Sequence, residues 1–305
     1  MAGVAKVRPA TTPAATASKR LALRTGYLGG KALRYRFLAA LQVFSLGIST
    51  AYVSASPVSV RYEEGVTRAF LVISTLDGNV IAEGELNQVV RGGHVRMQTV
   101  FHFKDGSRQE ETTVYSQRGA FRLISYHQLQ KGPAFKHASE ISVTTATGQV
   151  TVHYTDDDGK EKGADEHMAL PPDLANGMVP TLLKNLPKGT SQLEVPMVVA
   201  APKPRLVKLA ISAQGTDRFS AGGSERDAVH YVVKIVIGGV AGAVAPLLGK
   251  EPPDSHIWIL GGEAPTFVKS ESLSYMGGPL WRMELTSPVW PQAPAESKSG
   301  AAEKR

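Results

Sequence analysis

The strongest constraint on the fold is an alternation of apolar and polar side chains that turn signals cut into similar lengths. In His94–Phe103, Val95, Met97, Thr99, Phe101 and Phe103 share one side, and mainly polar residues take the other. Successive side chains on a strand point to opposite faces, so this period of two indicates a sheet with one buried face. Turn signals recur about every 12–15 residues, at Asp77-Gly78, Gly92-Gly93, Asp105-Gly106, Arg118-Gly119, Gly132-Pro133, Thr147-Gly148 and Asp158-Gly159.

This spacing predicts strands of about ten residues, each joined to the next by a hairpin. Long strands in an up-and-down order are typical of a large curved sheet and not of a sandwich of short strands. The predicted fold class is therefore mainly β: a large curved antiparallel sheet, or half-barrel, with one broken helix across its concave face.

The helix is expected between Asp173 and Leu186. Asp173 can cap its start, and Leu174, Met178 and Leu182 follow at intervals of four residues, which places them on one helical face. Pro180 interrupts the pattern and predicts a kink or a restart. Strands then resume, and the last three are expected in His256–Leu260, Thr266–Glu271 and Pro279–Leu285.

The positive charge of the chain is concentrated at its start. Residues 1–36 contain eight Lys and Arg and no acidic residue, so 26 basic residues remain against 27 acidic ones. The rest of the chain is therefore close to neutral, which argues against a nucleic-acid partner. Residues 1–36 are predicted to be a disordered basic leader, and residues 289–305 a disordered tail.

An uncharged, largely apolar segment at 37–55 follows the basic leader and ends in Val53-Ser-Ala55. A basic region, an apolar core and small residues at the end are typical of a secretory signal peptide, with cleavage expected near Ala55. An uncleaved membrane anchor and a buried helix remain alternatives. The first interpretation makes the protein periplasmic or secreted, and the second anchors it to the inner membrane with its body in the periplasm.

Catalytic, cofactor and metal motifs are not found in the sequence. The chain has no cysteine, which excludes disulfides, thiolate catalysis and iron–sulfur ligation. Gly242–Glu251 lacks the spacing of a phosphate loop, and Asp156–Asp158 lacks that of a calcium loop. The carboxylates of Glu83 and Glu85 could lie close together, although no aromatic platform accompanies them. The prediction is therefore no catalytic residue, no cofactor and no metal.

An apolar hollow is the remaining candidate site. A bent sheet with one apolar face and few helices to cover it leaves a space of the kind that binds apolar ligands. Glycine-rich residues 238–249 are interpreted as a core helix, a lip over that hollow or a membrane-touching tip. The residues expected to line the hollow are Leu174, Met178, Leu182, Val244, Leu247, Trp258 and Trp281.

Several segments resemble a group of uncharacterised bacterial exported proteins, which are domains of unknown function with a half-barrel sheet. They are Pro171–Gly177, Leu182–Leu186, Ala245–Asp254, Ile257–Ile259 and Gly277–Leu285. The resemblance extends over about residues 60–288. It implies an architecture similar to the lipoprotein-carrier fold and a location in the cell envelope. It implies no activity, so no catalytic residue follows from it.

Three functions fit these expectations. The first is an exported, non-enzymatic binding or carrier module for an apolar, lipid-like ligand, formed by a half-barrel domain at 59–288. The second is a structural or interaction protein of the envelope, with a packed concave face and a protein partner. The third is a hydrolase of unknown type. Membrane contact is expected only through an uncleaved leader.

Overall fold

The computed structural model describes residues 57–199, 203–221, 224–236, 252–275 and 277–286. Within these ranges the chain forms one sheet of 14 strands and one helix. The expected leader (1–36), apolar segment (37–55), glycine-rich stretch (238–249) and tail (289–305) lie outside the described residues. Val244 and Leu247, two of the expected lining residues, therefore lie outside them as well.

Eight strands joined by hairpins come first along the chain. They are β1 (Thr67–Thr75), β2 (Val80–Arg91), β3 (His94–Phe103), β4 (Arg108–Ser116), β5 (Arg122–Lys131), β6 (Ser139–Thr144), β7 (Gln149–Thr155) and β8 (Glu161–His167). The glycines predicted to mark the turns between them all have positive φ. The single helix of the described ranges is α1 (Val179–Lys184).

Six further strands complete the sheet. They are β9 (Gln192–Val199), β10 (Arg205–Ala221), β11 (Ser224–Val236), β12 (Ser255–Leu260), β13 (Thr266–Leu273) and β14 (Leu280–Thr286). All neighbours pair antiparallel, in the order β8-β7-β6-β5-β4-β3-β2-β1-β14-β13-β12-β11-β10-β9. The predicted fold class, a large curved antiparallel sheet, is confirmed.

The pairing of β1 with β14 joins the two halves of the sheet at its centre. Leu71 lies opposite Leu285, and Thr75 lies opposite Trp281. The other strand pairs in the sheet join strands that are adjacent in the sequence. Because β8 and β9 form the two edges, the connection between them must cross from one end of the sheet to the other.

Residues 171–186 of that connection, here called the plug segment, pack into the sheet. Leu174, Met178 and Leu182 belong to a buried cluster that also contains Val150 of β7 and Leu209 of β10. Since strands from both halves contribute to this main cluster, the sheet curves around the plug segment. The face that contacts it is called the inner face, and the opposite one the outer face.

The helix within the plug segment is shorter than predicted. Helical structure begins only at Val179, with Pro180 in the first turn, and residues 171–178 form turns. Asp173 caps no helix: it is buried, its Oδ1 has no hydrogen-bond partner within the described ranges, and burial raises the pKa of its carboxyl. Gly177 explains the difference, because its φ of +68° ends any helical path before residue 178.

The plug segment also covers the backbone of the edge strand β9. The side-chain amide of Asn176 donates to the carbonyl oxygen of Val198 and accepts from its N–H, both at 2.9 Å. The N–H of Ala175 donates to the carbonyl oxygen of Pro196. A free strand edge is a template for pairing with another chain, so these bonds protect it.

Gly177 is the tightest contact between the plug segment and the sheet. A Cβ atom at this position would overlap Oγ1 of Thr113 and lie 3.1 Å from the ring of Tyr126. Gly177→Ala should lower the free energy of unfolding by about 2–5 kcal/mol. Left-handed backbone contributes about 1–2 kcal/mol of this in a residue with a Cβ, and overpacking about 1–3 kcal/mol.

Denaturant unfolding of Gly177→Ala and of a control variant measures this loss of stability. Gly159→Ala is the matched control, because Gly159 also has positive φ but a Cβ atom added there would meet nothing within 4 Å. The control should lose only the backbone contribution of about 1–2 kcal/mol. Equal losses for both variants would mean that the plug segment does not pack against Thr113 and Tyr126 as described.

Candidate functional site

A cavity of about 240 Å³ lies against the inner face near the centre of the sheet. Side chains from β1, β3, β4, β5, β13 and β14 surround it. Its lining consists of Ile73, Phe101, Gln109, Glu111, Gln128, Ser272, Leu273, Ser274, Trp281 and Met283. One side of the lining is apolar and aromatic and the other is polar, so the cavity suits an amphiphilic molecule.

The aromatic side is held by a second buried cluster on the inner face. The Trp281 ring lies 5.1 Å from the ring of Phe103 and 5.9 Å from that of Phe135, centroid to centroid. Phe103 and Phe135 meet edge to face at 5.3 Å. Such arrangements stabilise aromatic pairs beyond their burial alone. Trp281 is therefore fixed from behind while its exposed fraction of 9% borders the cavity.

A glycine makes room for the other aromatic residue of the lining. Phe101 lies directly across from Gly84 in the pairing of β2 and β3. A Cβ at Gly84 would overlap Cδ1 of Phe101, so the phenyl ring rests on the bare backbone of β2. The ring is thereby held low against the sheet, and the space above it remains part of the cavity.

The polar side is centred on the carboxyl group of Glu111. Its Oε2 accepts hydrogen bonds from the hydroxyl of Tyr126 at 3.2 Å and from the amide of Gln128 at 3.5 Å. Burial raises the pKa of Glu111, and those two hydrogen bonds partly oppose the shift. Burial also raises the pKa of Tyr126, and the adjacent charge of Glu111 raises it further. Tyr126 therefore acts as a hydroxyl donor throughout the physiological pH range.

A second amide pair continues the polar side. The amide of Gln130 donates to Oε1 of Gln109 at 3.1 Å and to the carbonyl oxygen of Ser274 at 2.8 Å. The second bond joins β5 to the loop after β13. It spans 144 positions of the sequence, and it holds the loop that contributes Ser274 to the lining.

Sequence reasoning missed Glu111, although the strand pattern contains the signal for it. Tyr115 and Thr113 are fully buried on the inner face of β4. Counting back in steps of two places Glu111 and Gln109 on the same face. Polar residues at inward positions of a strand are unusual. The position of Glu111 and Gln109 on the buried face was therefore the signal that could have indicated a site.

The five predicted lining residues that lie within the described ranges separate into three groups. Leu174, Met178 and Leu182 come together, but in the main buried cluster and not in the lining of this cavity. Trp281 does line it, on the face expected from the alternation of β14. Trp258 lies on the opposite face of the sheet.

The placement of Trp258 corrects the expectation that it faces an inner hollow. Its neighbours Ile257 and Ile259 belong to the main cluster, so Trp258 must point outward. There the indole stacks on the ring of His230 with centroids 4.4 Å apart, and Nζ of Lys269 lies 3.9 Å from its centroid. These contacts cover the ring, which explains an exposure of only 8% on an outer face.

Polar and charged side chains extend from Trp258 across the outer face of five strands. Nε1 of Trp258 donates to Asp217 at 2.7 Å, and Nε2 of His230 lies 2.9 Å from Nδ1 of His256. Glu271 pairs with Arg282 at 2.9 Å and with Lys269 at 3.6 Å. The charged side chains on this outer face therefore form ion pairs with one another, which makes them a weak candidate for a ligand site.

A second depression of about 240 Å³ lies beside the plug segment and is lined by Tyr62, Glu63, Glu64, Lys184, Glu263, Ala264 and Pro265. Lys184 and Glu64 form an ion pair within it. Because its buried charges already satisfy each other, it offers a weaker case for a ligand than the cavity at Glu111.

The remaining sequence motifs have structural roles in the described ranges. The side chain of Asp156 accepts backbone N–H bonds from Asp158 and Lys160, which makes this segment a hairpin turn, as predicted. Glu85 pairs with Arg68 on the exposed outer face. Across the ranges given above, no group of three His, Asp or Glu residues has the arrangement of a metal site. The same part of the chain contains no helix of the length and apolarity needed to cross a membrane.

His230 gives the outer face a dependence on pH. Partial burial lowers its pKa, the positive charge of His256 lowers it further, Lys269 acts in the same direction, and Asp217 and Glu271 oppose the shift. The unfolded chain therefore takes up a proton at higher pH than the folded one. We expect the free energy of unfolding to decrease as the pH falls from about 6.5, the ordinary pKa of histidine, towards the lower folded value.

Urea unfolding at several pH values between 5 and 7 tests this expectation. His230→Gln should reduce the loss of stability on acidification. The control is His94→Gln, since His94 is exposed at the start of β3. An identical pH profile for wild type and His230→Gln would contradict the assignment.

Comparisons with known proteins add little to this description. No family model and no curated protein matches the sequence. Among solved structures, the chain is similar to a β-barrel-like protein of a domain of unknown function, DUF1849, from Brucella abortus. The alignment covers 75% of this chain and 100% of that one, at 10% sequence identity and a TM-score of 0.43. At this level the likeness supports no argument about ligand or activity, and the resemblance to the lipoprotein-carrier fold stays a prediction.

Proposed function

We propose that this protein is a non-enzymatic binding or carrier module that holds a small amphiphilic molecule in the cavity beside Glu111. The observation that supports this most is the composition of the lining. Phe101, Trp281 and Met283 offer apolar surface on one side, while Glu111 and Gln128 offer polar atoms on the other. A mostly preformed cavity with a few convergent polar groups is the usual form of a small-molecule site.

The volume of the cavity restricts the proposed ligand to a molecule smaller than the lipid-like one expected from the sequence. Sites for drug-sized molecules enclose about 300–1,000 Å³. The cavity here has a volume of about 240 Å³, and the plug segment fills another part of the inner face. The proposed ligand is therefore a small molecule, or the end of a larger one.

Export of the protein is part of the same proposal. It is supported by the basic region at 1–36, the uncharged segment at 37–55 and the small residues Val53-Ser-Ala55. The proposed location is periplasmic or secreted, and the alternative is an anchor in the inner membrane with the body in the periplasm. A binding module in the envelope would meet ligands that enter from outside the cell.

The packed inner face favours a structural or interaction protein as the second candidate. The main cluster joins β3–β7, the plug segment and β9–β12 without need of a ligand. The hydrolase alternative has less support. Among the described residues, the cavity lining contains one carboxyl group and no histidine, so Ser272 and Ser274 have no histidine base beside them in that lining.

Two measurements test the binding function. Native mass spectrometry of the protein purified from its own host should show a co-purified small molecule. Titration with hexan-1-ol, followed by NMR of ¹³C-labelled methionine methyl groups, should shift the signal of Met283, which lines the cavity. The signal of Met178, which packs in the main cluster, should stay in place.

A pair of variants locates the binding. Ser272→Phe should fill the cavity and abolish the response of Met283. Thr266→Phe adds the same side chain to the same strand at an exposed position of its outer face and should leave the response intact. Absence of both a co-purified molecule and a response of Met283 would favour the structural protein.

A further inference from the structure

Among the residues that the structure describes, Glu111 is the only charged one in the cavity lining. Its two hydrogen-bond donors, Tyr126 and Gln128, are neutral. In the described part of the chain, no Lys, Arg or His nitrogen lies within 4.0 Å of its carboxylate. The other oxygen, Oε1, accepts no hydrogen bond from those residues and remains open to a ligand.

Two other carboxylates of low exposure, Glu64 and Glu271, have counter-charges in the protein, whereas the buried Asp173 of the plug segment has none in the described ranges. Glu64, also little exposed, pairs with Lys184 next to the plug segment. Glu271 on the outer face pairs with both Arg282 and Lys269. Burial of a carboxylate without a counter-charge is unfavourable, and Glu64 and Glu271 avoid this cost by pairing with cations. At Glu111 the pairing charge can come from a ligand.

The other lining groups suit a cation. Trp281 and Phe101 supply aromatic rings, whose faces attract positive charge, most strongly in the case of tryptophan. Gln109, Gln128, Ser272 and Ser274 supply carbonyl and hydroxyl oxygens that can accept hydrogen bonds. An ammonium group has three N–H donors, so it can use Glu111 and two of these oxygens together.

We propose that the cavity binds a small primary amine with an apolar body, whose ammonium group forms an ion pair with Glu111. The inference rests on the proposed binding function and names the class of its ligand. A carboxylate ligand is disfavoured, because a second negative charge would face Glu111 in a confined space. An alcohol can accept or donate one hydrogen bond there, but it leaves the carboxylate without a counter-charge.

Proton binding competes with the amine at Glu111. The protonated carboxyl forms no ion pair, and enclosure raises the pKa of this group. Amine affinity should therefore increase as the pH rises through the pKa of Glu111, whereas alcohol affinity should change much less. Tyr126 is the titratable side chain in contact with Glu111, and its own pKa is raised, so its hydroxyl stays protonated in this range.

The experiment compares three probes with the same six-carbon body and different heads: hexan-1-amine, hexan-1-ol and hexanoate. Dissociation constants are measured on the full chain from the methyl signal of Met283. We expect the amine to bind at least about tenfold more tightly than the alcohol, a difference of about 1.4 kcal/mol, and hexanoate to bind most weakly. The amine stays charged between pH 5 and 8, since alkyl amines have a pKa near that of lysine, about 10.4.

Glu111→Gln removes the charge and keeps the shape. It should weaken binding of the amine by about tenfold or more and change binding of the alcohol much less. Glu110→Gln is the control, because Glu110 is the preceding residue of β4, faces the opposite side of the sheet and pairs with Arg108 at 2.8 Å. This variant should retain the preference for the amine.

The outcomes separate the two proposals. Equal affinity for amine and alcohol in the wild type would overturn the amine assignment while leaving a binding site in place. Failure of all three probes to move Met283 would overturn the binding function itself. If Glu111→Gln does not fold, the wild-type pH series decides, because only an ion pair with Glu111 makes amine affinity rise with pH while alcohol affinity stays level.

Discussion

The contact of the plug segment with the inner face is the interaction on which the rest of the structure depends. A sheet whose first and last strands are paired at its centre must have its two edges in the middle of the sequence. The chain that joins β8 to β9 must then cross the open side, and here it carries Leu174, Met178 and Leu182 with it. Because the plug segment covers the core, the sheet can remain open. A closed barrel would require β8 and β9 to pair.

The two edges are protected by different means, and the plug segment supplies one of them. β8 consists almost entirely of charged and small residues, which discourage pairing with another chain. β9 is more apolar and contains Pro196, and its backbone is covered by Asn176 and Ala175. Removing the plug segment would therefore expose the main cluster and an apolar strand edge at the same time.

Local patterns predicted the strands and their hairpin order, but not the pairing of β1 with β14 or the helix length. Alternation and turn glycines act within one hairpin, which is why β1–β8 and β12–β14 agree with expectation. The pairing of β1 with β14 has no local signal, since its partners are separated by most of the chain. The intervals between Leu174, Met178 and Leu182 resemble a helix because all three enter one cluster. The backbone reaches that cluster by turns around Gly177 instead.

The same limit explains which site residues could be predicted. Trp281 stands in a strand whose alternation is clear, so its inward orientation follows from parity. Ile257, Trp258 and Ile259 are all apolar, so the sequence shows no alternation that would indicate which of them face the core. The contacts of Trp258 with His230 and Lys269 stabilise its outward orientation. These two residues belong to strands that become neighbours of β12 only in the folded sheet.

Tyr126 links the stability of the fold to the chemistry of the cavity. Its ring packs against Gly177 of the plug segment, and its hydroxyl donates a hydrogen bond to Glu111. A ligand that holds Glu111 in its charged form strengthens that hydrogen bond, since a charged acceptor binds a donor more tightly than a neutral one. In the proposed complex, this bond would hold the ring against Gly177, so occupancy of the cavity would favour packing of the plug segment. Any ligand that binds only the folded state raises stability as its concentration increases, and for the proposed ligand Tyr126 would connect that effect to the plug segment.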